Sequence, residues 1–303
     1  MSRIHEALKK AEQERGMSQS GTRSDGVAAT VLDQSPAADS VIAAASALAG
    51  TAPAPILTQE AILARTRQTK WRPDPQTMLF FSQEEHATGM EEFRTLRTRL
   101  YQAREKQPLS KLLVTSALPK EGKSFTSANL AQVLVRQHGK RVLLIDADLR
   151  NPQLSGLLGA EPGPGLFEYL RSETDEVSIL QRGPMDNLFF IPAGRNLGNP
   201  AELVANGRVK ALLSRLEPLF DWIIIDSPPS VLVSDAGLLA NYCDGVLLVV
   251  RSNSTPVDAA RRARQEFADR NVVGVVLNGI SAELSPYSQY YYRSYGADAE
   301  AAN

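Results

Sequence analysis

Cysteine is almost absent from this chain, because Cys243 is the only one among 303 residues. A single cysteine cannot form an intramolecular disulfide, and it cannot build a cysteine-based zinc site. The first 15 residues are charged throughout and lack the apolar core of a signal peptide, so we do not expect secretion. These absences exclude a small disulfide-stabilised protein and favour a reducing compartment.

An excess of either charge is also lacking, since 33 Lys and Arg residues stand against 34 Asp and Glu residues. With a net charge of -1 the chain has no overall field that would draw it to nucleic acid, and we predict no nucleic-acid partner. The most apolar stretch near the N-terminus, 41–50, has ten residues, whereas a membrane-spanning helix needs about 20. We therefore expect a soluble chain.

Aromatic residues are missing from the first 70 positions, and all 19 of them lie from Trp71 onward. Residues 1–15 still place Ile4 and Leu8 at helical spacing, which predicts a thin amphipathic helix, either frayed or docked on a partner. The segment that follows is rich in Ala, Ser, Thr, Gly and Pro, so we predict a flexible linker over 16–75. The remaining chain divides into a folded domain, 76–280, and a tail, 281–303.

The folded domain alternates short apolar runs with helical segments. A helix is predicted from about 89 to 106, and six buried strands follow it. The strands are 112–115, 142–145, 188–191, 222–225, 246–250 and 272–277. Continuous apolar runs indicate strands that are buried on both faces, and helices between them imply parallel crossovers. The fold class is therefore α/β, a mostly parallel sheet flanked by helices, with ligands at the carboxyl ends of the strands.

A phosphate-binding loop follows the first of these strands. Residues 117–124 read Ala-Leu-Pro-Lys-Glu-Gly-Lys-Ser, which is Walker A spacing with alanine at the first glycine position. Backbone N–H groups of such a loop hold phosphate oxygens, the lysine reaches the β and γ phosphates, and the serine hydroxyl binds Mg²⁺. We predict ATP and Mg²⁺ as cofactors. The predicted nucleotide-binding residues here are Ala117, Pro119, Lys120, Glu121, Gly122, Lys123, Ser124 and Phe125.

Acidic residues follow two further strands. Asp146 and Asp148 stand in the sequence Ile-Asp-Ala-Asp-Leu-Arg, and Asp226 stands in Ile-Asp-Ser-Pro-Pro, which is typical of a Walker B strand. Carboxylates at strand ends bind hard cations directly or through water. Ser124, Asp146 and Asp226 are therefore the predicted metal residues, and Lys123, Asp146, Asp148 and Asp226 the predicted catalytic ones. Asp146 is favoured over Asp148 for metal or base work.

The order of these motifs resembles the bacterial tyrosine autokinases of capsule and exopolysaccharide loci, over residues 91–295. Glu91, Arg94 and Arg97 lie three residues apart, as in the oligomerisation motif of that family. On a helix they share a face and can pair with each other or with a neighbouring subunit. The opening residues 1–11 are similar to members encoded beside exosortase-associated polysaccharide systems, known as the PEP-CTERM subgroup.

The tail strengthens this resemblance, because five of the eight tyrosines of the chain fall within nine residues of it. They are Tyr287, Tyr290, Tyr291, Tyr292 and Tyr295. No apolar period accompanies them, so we expect exposed side chains. The cluster resembles the autophosphorylation tail of the family, and the alternatives are an aromatic binding patch or packing on the domain.

A second resemblance is to the ParA and MinD ATPases, which carry a signature lysine five residues before the P-loop lysine. That position is Leu118 here, which argues against this branch. Arg251 and Asn278 resemble its base-contacting positions, and we include both among the predicted nucleotide-binding residues. The alternative functions are therefore a non-kinase ATPase switch of this kind, acting through partner binding, and a catalytically weak scaffold.

The first resemblance implies an autokinase that moves the γ-phosphoryl group of ATP to tail tyrosines of a neighbouring subunit and regulates exopolysaccharide polymerisation or export. It also implies a homo-oligomer arranged as a ring, a transmembrane polysaccharide co-polymerase of the Wzz type as activator, and a protein tyrosine phosphatase as partner. The expected location is the cytoplasm, at the inner membrane through that activator.

Overall fold

The computed structural model describes residues 59–81, 89–195 and 200–280, all within one compact unit, Ile56–Asn303. The predicted N-terminal helix, most of the predicted linker and the tyrosine tail lie outside the described residues. The helices are α1 Gln59–Arg65, α2 Met90–Lys106, α3 Lys123–Val135, α4 Leu154–Leu158, α5 Leu166–Leu170, α6 Pro200–Ala205, α7 Arg208–Leu216, α8 Asp235–Ala240 and α9 Val257–Glu266. The strands are β1 Arg67–Gln68, β2 Lys111–Ser116, β3 Val142–Asp146, β4 Gln181–Arg182, β5 Leu188–Ile191, β6 Trp222–Asp226, β7 Gly245–Arg251 and β8 Val272–Asn278.

The eight strands form one sheet in the order β1-β4-β5-β3-β6-β2-β7-β8. All six predicted strands are present and pair in parallel, and helix α2 begins and ends where it was predicted. The α/β prediction is confirmed. Two strands of two residues each were missed, and β4 pairs with β5 in the antiparallel direction.

Two apolar layers cover the two faces of the sheet, because successive residues of each strand point to opposite sides. Leu113 and Ile223 point into the layer that includes residues of α7 and α8. Leu112 and Ile224 point into the other layer, which includes residues of α2 and α3. Burial on both faces explains why the strands read as continuous apolar runs. It also leaves the strand ends as the place where polar side chains gather.

The predicted linker does not extend to residue 75, because residues 59–75 are folded. Strand β1 pairs with β4, and Ile62 of α1 is buried. Trp71 is also buried, with its ring edge-on to Phe190 at 6.0 Å, and its indole N–H donates to Thr69 Oγ1 at 2.9 Å. Composition alone gave no sign of this N-terminal arm, residues 59–81, because one aromatic side chain and a two-residue strand produce no periodicity.

Candidate nucleotide-binding site

The loop between β2 and α3 has the backbone shape of an anion-binding loop. Lys120 and Gly122 both have positive φ angles, 64° and 93°. Gly122 has little room for a side chain, since an added Cβ would lie 1.9 Å from Asn278 Nδ2. Helix α3 begins at Lys123, directly after the glycine, so its first N–H groups face the same space as the loop amides.

Lys123 is buried and pairs with Asp148, with 2.8 Å between Nζ and Oδ2. Burial by itself lowers the pKa of a lysine. Here the negative charges of Asp226, Asp148 and Asp146 outweigh burial, so the pKa of Lys123 is raised above its ordinary value. The lysine is therefore charged at any physiological pH, in a site that contains three carboxyl groups.

Asp226 ends β6 and is fully buried below the start of α3. Ser127 donates a hydrogen bond to its Oδ1 at 3.0 Å. Burial raises the pKa of Asp226 to about 6, although the charge of Lys123 and the nearby Ser124 hydroxyl act in the opposite direction. Four buried side-chain oxygens of the described residues lack a hydrogen-bond partner: Thr66 Oγ1, Ser124 Oγ, Asp148 Oδ2 and Asp226 Oδ2. Asp148 Oδ2 has its ion pair with Lys123. A hydrated cation would satisfy the orphan oxygens of Ser124 and Asp226.

Asp146 and Asp148 have different environments, although both lie at the end of β3. Asp146 accepts the backbone N–H groups of Asp148 at 3.3 Å and Leu154 at 3.0 Å. Burial, followed by the charge of Asp226, raises the pKa of Asp146 well above its ordinary value. Asp148 is the carboxylate that contacts Lys123, whereas the sequence favoured Asp146. Which of the two accepts a proton stays a prediction.

Sequence reasoning missed an ion pair that ties the β3 loop to the β6 loop. Arg150 contacts Asp235 with two nitrogens, at 2.8 and 3.1 Å, and the Asp235 side chain is almost fully buried. Asp235 is the first residue of α8, so the pair joins two loops at the carboxyl end of the sheet. The partners are 85 residues apart, and no local pattern in the sequence links them.

Arg251 and Asn278 end β7 and β8, and both side chains reach the phosphate-binding loop. Arg251 donates to the carbonyl of Lys120 at 3.1 Å, and Asn278 donates to the carbonyl of Glu121 at 2.9 Å. The buried carboxylate of Glu121 accepts the N–H of Leu118 at 2.7 Å and also contacts the hydroxyl of Thr255. The predicted contact of Arg251 and Asn278 with the base stays a prediction.

The predicted oligomerisation residues lie on α2, which packs against α3 through Phe93 and Phe125. Glu91 and Arg94 form an ion pair within the helix, and both are partly exposed. Arg97 instead donates to the carbonyl of Val133, near the end of α3, at 3.2 Å. Pairing between Glu91 and Arg94 is thus present in the single chain, and contact with a neighbouring subunit stays a prediction.

This site combines the N–H groups of the loop, a buried lysine and carboxylates at two adjacent strand ends. These features define a P-loop nucleotide-binding enzyme. The AAA domain family matches residues 121–259. The tyrosine-protein kinase YwqD of Bacillus subtilis is 36% identical over 211 residues, which cover 69% of this chain and 88% of YwqD. The solved kinase domain of the Escherichia coli tyrosine kinase ETK is 32% identical with a TM-score of 0.63, over 66% of this chain and 80% of that one. The chain belongs to the bacterial tyrosine-protein kinases.

Coverage differs among the relatives. The putative tyrosine-protein kinase EpsB of Ralstonia nicotianae is 34% identical over 227 residues, which cover 70% of this chain but only 30% of EpsB. The chain therefore spans less than a third of that relative. Within the described ranges, no helix combines the length and hydrophobicity needed to cross a membrane.

Proposed function

We propose that this kinase transfers the γ-phosphoryl group of Mg·ATP to tyrosines of the tail, and that the tail belongs to a neighbouring copy. The observation that carries the proposal is the charged, buried Lys123 beside two orphan oxygens, Ser124 Oγ and Asp226 Oδ2. This set fits one triphosphate with one divalent cation. The tyrosine cluster at 287–295 supplies the acceptors.

Magnesium would be held by Ser124, with Asp226 behind it, and would neutralise charge that develops on the phosphates. The described residues contain no group of three or more acidic, histidine or cysteine side chains able to hold a metal by themselves. Waters and phosphate oxygens would complete the coordination, so the ion should bind more tightly when the nucleotide is present. Lys123 would exchange its contact with Asp148 for the β and γ phosphates.

The acceptor hydroxyl must lose a proton as it attacks. A free tyrosine has a pKa of about 10, so a nearby carboxylate assists by accepting that proton. A bond forms between the tyrosine oxygen and the γ-phosphorus, the bond to the bridging oxygen breaks, and ADP leaves. Asp146 and Asp148 are the candidate acceptors. The raised pKa of Asp146 favours Asp146 as the acceptor, whereas the contact with Lys123 favours Asp148.

Transfer between copies requires an oligomer. We assign its interface to the exposed part of α2, with Glu91 and Arg94, and propose that the copies form a ring. About 70% of EpsB has no counterpart in this chain, and we propose that a separate protein supplies what that part of EpsB does. We propose that a transmembrane polysaccharide co-polymerase activates the kinase at the cytoplasmic face of the inner membrane, and that the cycle, reversed by a phosphatase, regulates exopolysaccharide export. Membership of the PEP-CTERM subgroup stays a prediction.

Replacing the P-loop lysine tests the site. Lys123→Met should abolish phosphotyrosine after incubation with Mg·ATP, because a buried cation that faces the phosphates is lost. Lys210→Met, an exposed lysine of α7, is the matched control and should label like the wild type. Equal labelling of the Lys123→Met protein would refute the assignment of the site.

Mixing two inactive variants tests transfer between copies. Lys123→Met retains acceptors but lacks phosphate binding, and the chain with all five tail tyrosines changed to Phe retains the site but lacks acceptors. If transfer occurs between copies, the mixture should label the tail of the Lys123→Met chain. Two variants that stay unlabelled both alone and together would contradict transfer between copies.

A further inference from the structure

The contacts of Arg251 and Asn278 point to a role that neither the fold nor the P-loop pattern assigns. Both side chains donate to carbonyl oxygens of the phosphate-binding loop. Across a planar trans peptide, the carbonyl of one residue and the N–H of the next point in opposite directions. A side chain that fixes the carbonyl therefore also fixes where the following N–H points.

The two carbonyls concerned are those immediately before the two central amides of the loop. Holding the Lys120 carbonyl sets the direction of the Glu121 N–H, and holding the Glu121 carbonyl sets that of the Gly122 N–H. Within the described residues neither N–H donates to the protein. Both are thus available to phosphate oxygens, as in other loops whose successive N–H groups form an anion-binding concavity.

The surroundings of these contacts are built to hold one loop geometry. Asn278 fits closely against Gly122, because a Cβ on that glycine would overlap the Asn278 amide. The carboxylate of Glu121 closes the loop on the Leu118 N–H at 2.7 Å and contacts Thr255, four residues beyond Arg251. The loop is therefore attached to β7 and β8 through side chains, in addition to its own strand and helix.

We propose that Arg251 and Asn278 are positioning residues, which turn two loop amides toward the phosphates by holding the preceding carbonyls outward. The inference rests on the proposed nucleotide site. It differs from contact with the base in one measurable way, because oriented amides bind the phosphate chain whether or not a base is attached. A contact with the base contributes only when the base is present.

Asn278→Ala is the decisive variant, since it removes a neutral donor and adds no charge. Asn271→Ala is its matched control, because Asn271 precedes the opposite end of β8 and also donates at 2.9 Å to a backbone carbonyl, that of Asp244. The probes are Mg·ATP and inorganic tripolyphosphate with Mg²⁺, titrated calorimetrically. We expect Asn278→Ala to lower the affinity for both probes by the same factor, about tenfold, and Asn271→Ala to leave both affinities unchanged.

Arg251→Ala provides a second test on an exposed residue whose loss should not affect folding. Part of its effect will be the loss of a positive charge, and salt screens that part. We expect Arg251→Ala to lower the affinity for both probes, and we expect this loss of affinity to persist at high ionic strength.

Other outcomes overturn the inference in distinct ways. If Asn278→Ala lowers the affinity for ATP but leaves that for tripolyphosphate unchanged, the side chain contacts the base. Equal losses for Asn278→Ala and Asn271→Ala would show a general effect on β8, and unchanged affinities in Asn278→Ala would show that the carbonyl contact is irrelevant. If the Arg251→Ala loss disappears at high salt, Arg251 acts by charge alone. A wild-type protein that binds neither probe would refute the nucleotide site itself.

Discussion

Asp226 should reduce the stability of the nucleotide-free protein, and Asp226→Asn should increase it. The pKa of this carboxyl is raised by burial from 3.8 to about 6. A group whose pKa rises on folding makes the folded state bind its proton more tightly. The free energy of unfolding therefore keeps its full value at low pH, where Asp226 is protonated, and falls as pH rises from about 4 to about 6.

The magnitude follows from the shift, because each pKa unit corresponds to about 1.4 kcal/mol. A shift of about two units implies that ionised Asp226 costs about 3 kcal/mol above pH 7. An asparagine keeps the acceptor for Ser127 and presents an N–H₂ donor near the orphan Ser124 hydroxyl, so it fits the site without the charge. The variant should gain stability while losing Mg²⁺-dependent activity.

Urea unfolding without nucleotide or Mg²⁺ measures the effect. We expect Asp226→Asn to raise the free energy of unfolding by about 3 kcal/mol at pH 7.5, and by roughly half of that at pH 5. Asp221→Asn is a control of opposite sign. Burial acts to raise the pKa of Asp221, but the Arg141 N–H and Lys140 outweigh burial, so the pKa lies below its ordinary value. Removing this charge should therefore destabilise the folded protein. An Asp226→Asn protein that is less stable than the wild type at pH 7.5 would show that the buried charge of Asp226 does not destabilise the fold.

Three further predictions concern other parts of the chain. Trp71→Ala should lower the free energy of unfolding by about 3 to 5 kcal/mol in urea titrations, because its indole is buried against Phe190; a loss below about 1 kcal/mol would mean that the arm is not part of the core. Arg94→Ala should shift the protein toward monomers in light scattering with little change in thermal stability, since its pair with Glu91 is partly exposed; an unchanged mass would contradict the proposed interface. Cys243 is half-buried, and loss of solvation raises the pKa of its thiol, so this single cysteine should react more slowly with a thiol reagent at pH 8 in the folded protein than in urea; equal rates in the two states would contradict the raised pKa.

The strands and the P-loop were predictable because their signals are local. A run of apolar residues such as 142–145 indicates a strand buried on both faces, whatever it packs against. The loop carries its own spacing, with Gly122, Lys123 and Ser124 in immediate succession. Asp226 was predictable for a similar reason, since it directly follows the apolar residues of its strand.

Other features depend on partners far away in the sequence. Asn129 and Gln132 are polar, which favours an exposed helix face, yet both are fully buried on α3. They accept the backbone N–H groups of Leu79 and Phe80, respectively, so their polarity is satisfied by the N-terminal arm. The pair between Arg150 and Asp235 and the contact of Asn278 with the loop are also long-range. No local pattern indicates which side chains such groups will meet.

Mapping phosphate on the protein tests directly whether the tail tyrosines are the acceptors. The full chain, incubated with Mg·ATP at high concentration, is digested and analysed by mass spectrometry, with Lys123→Met as the control. We expect phosphotyrosine within 287–295 of the wild type and none in the variant. Phosphate found instead on Tyr101, Tyr169 or Tyr242, or found equally in Lys123→Met, would contradict this expectation.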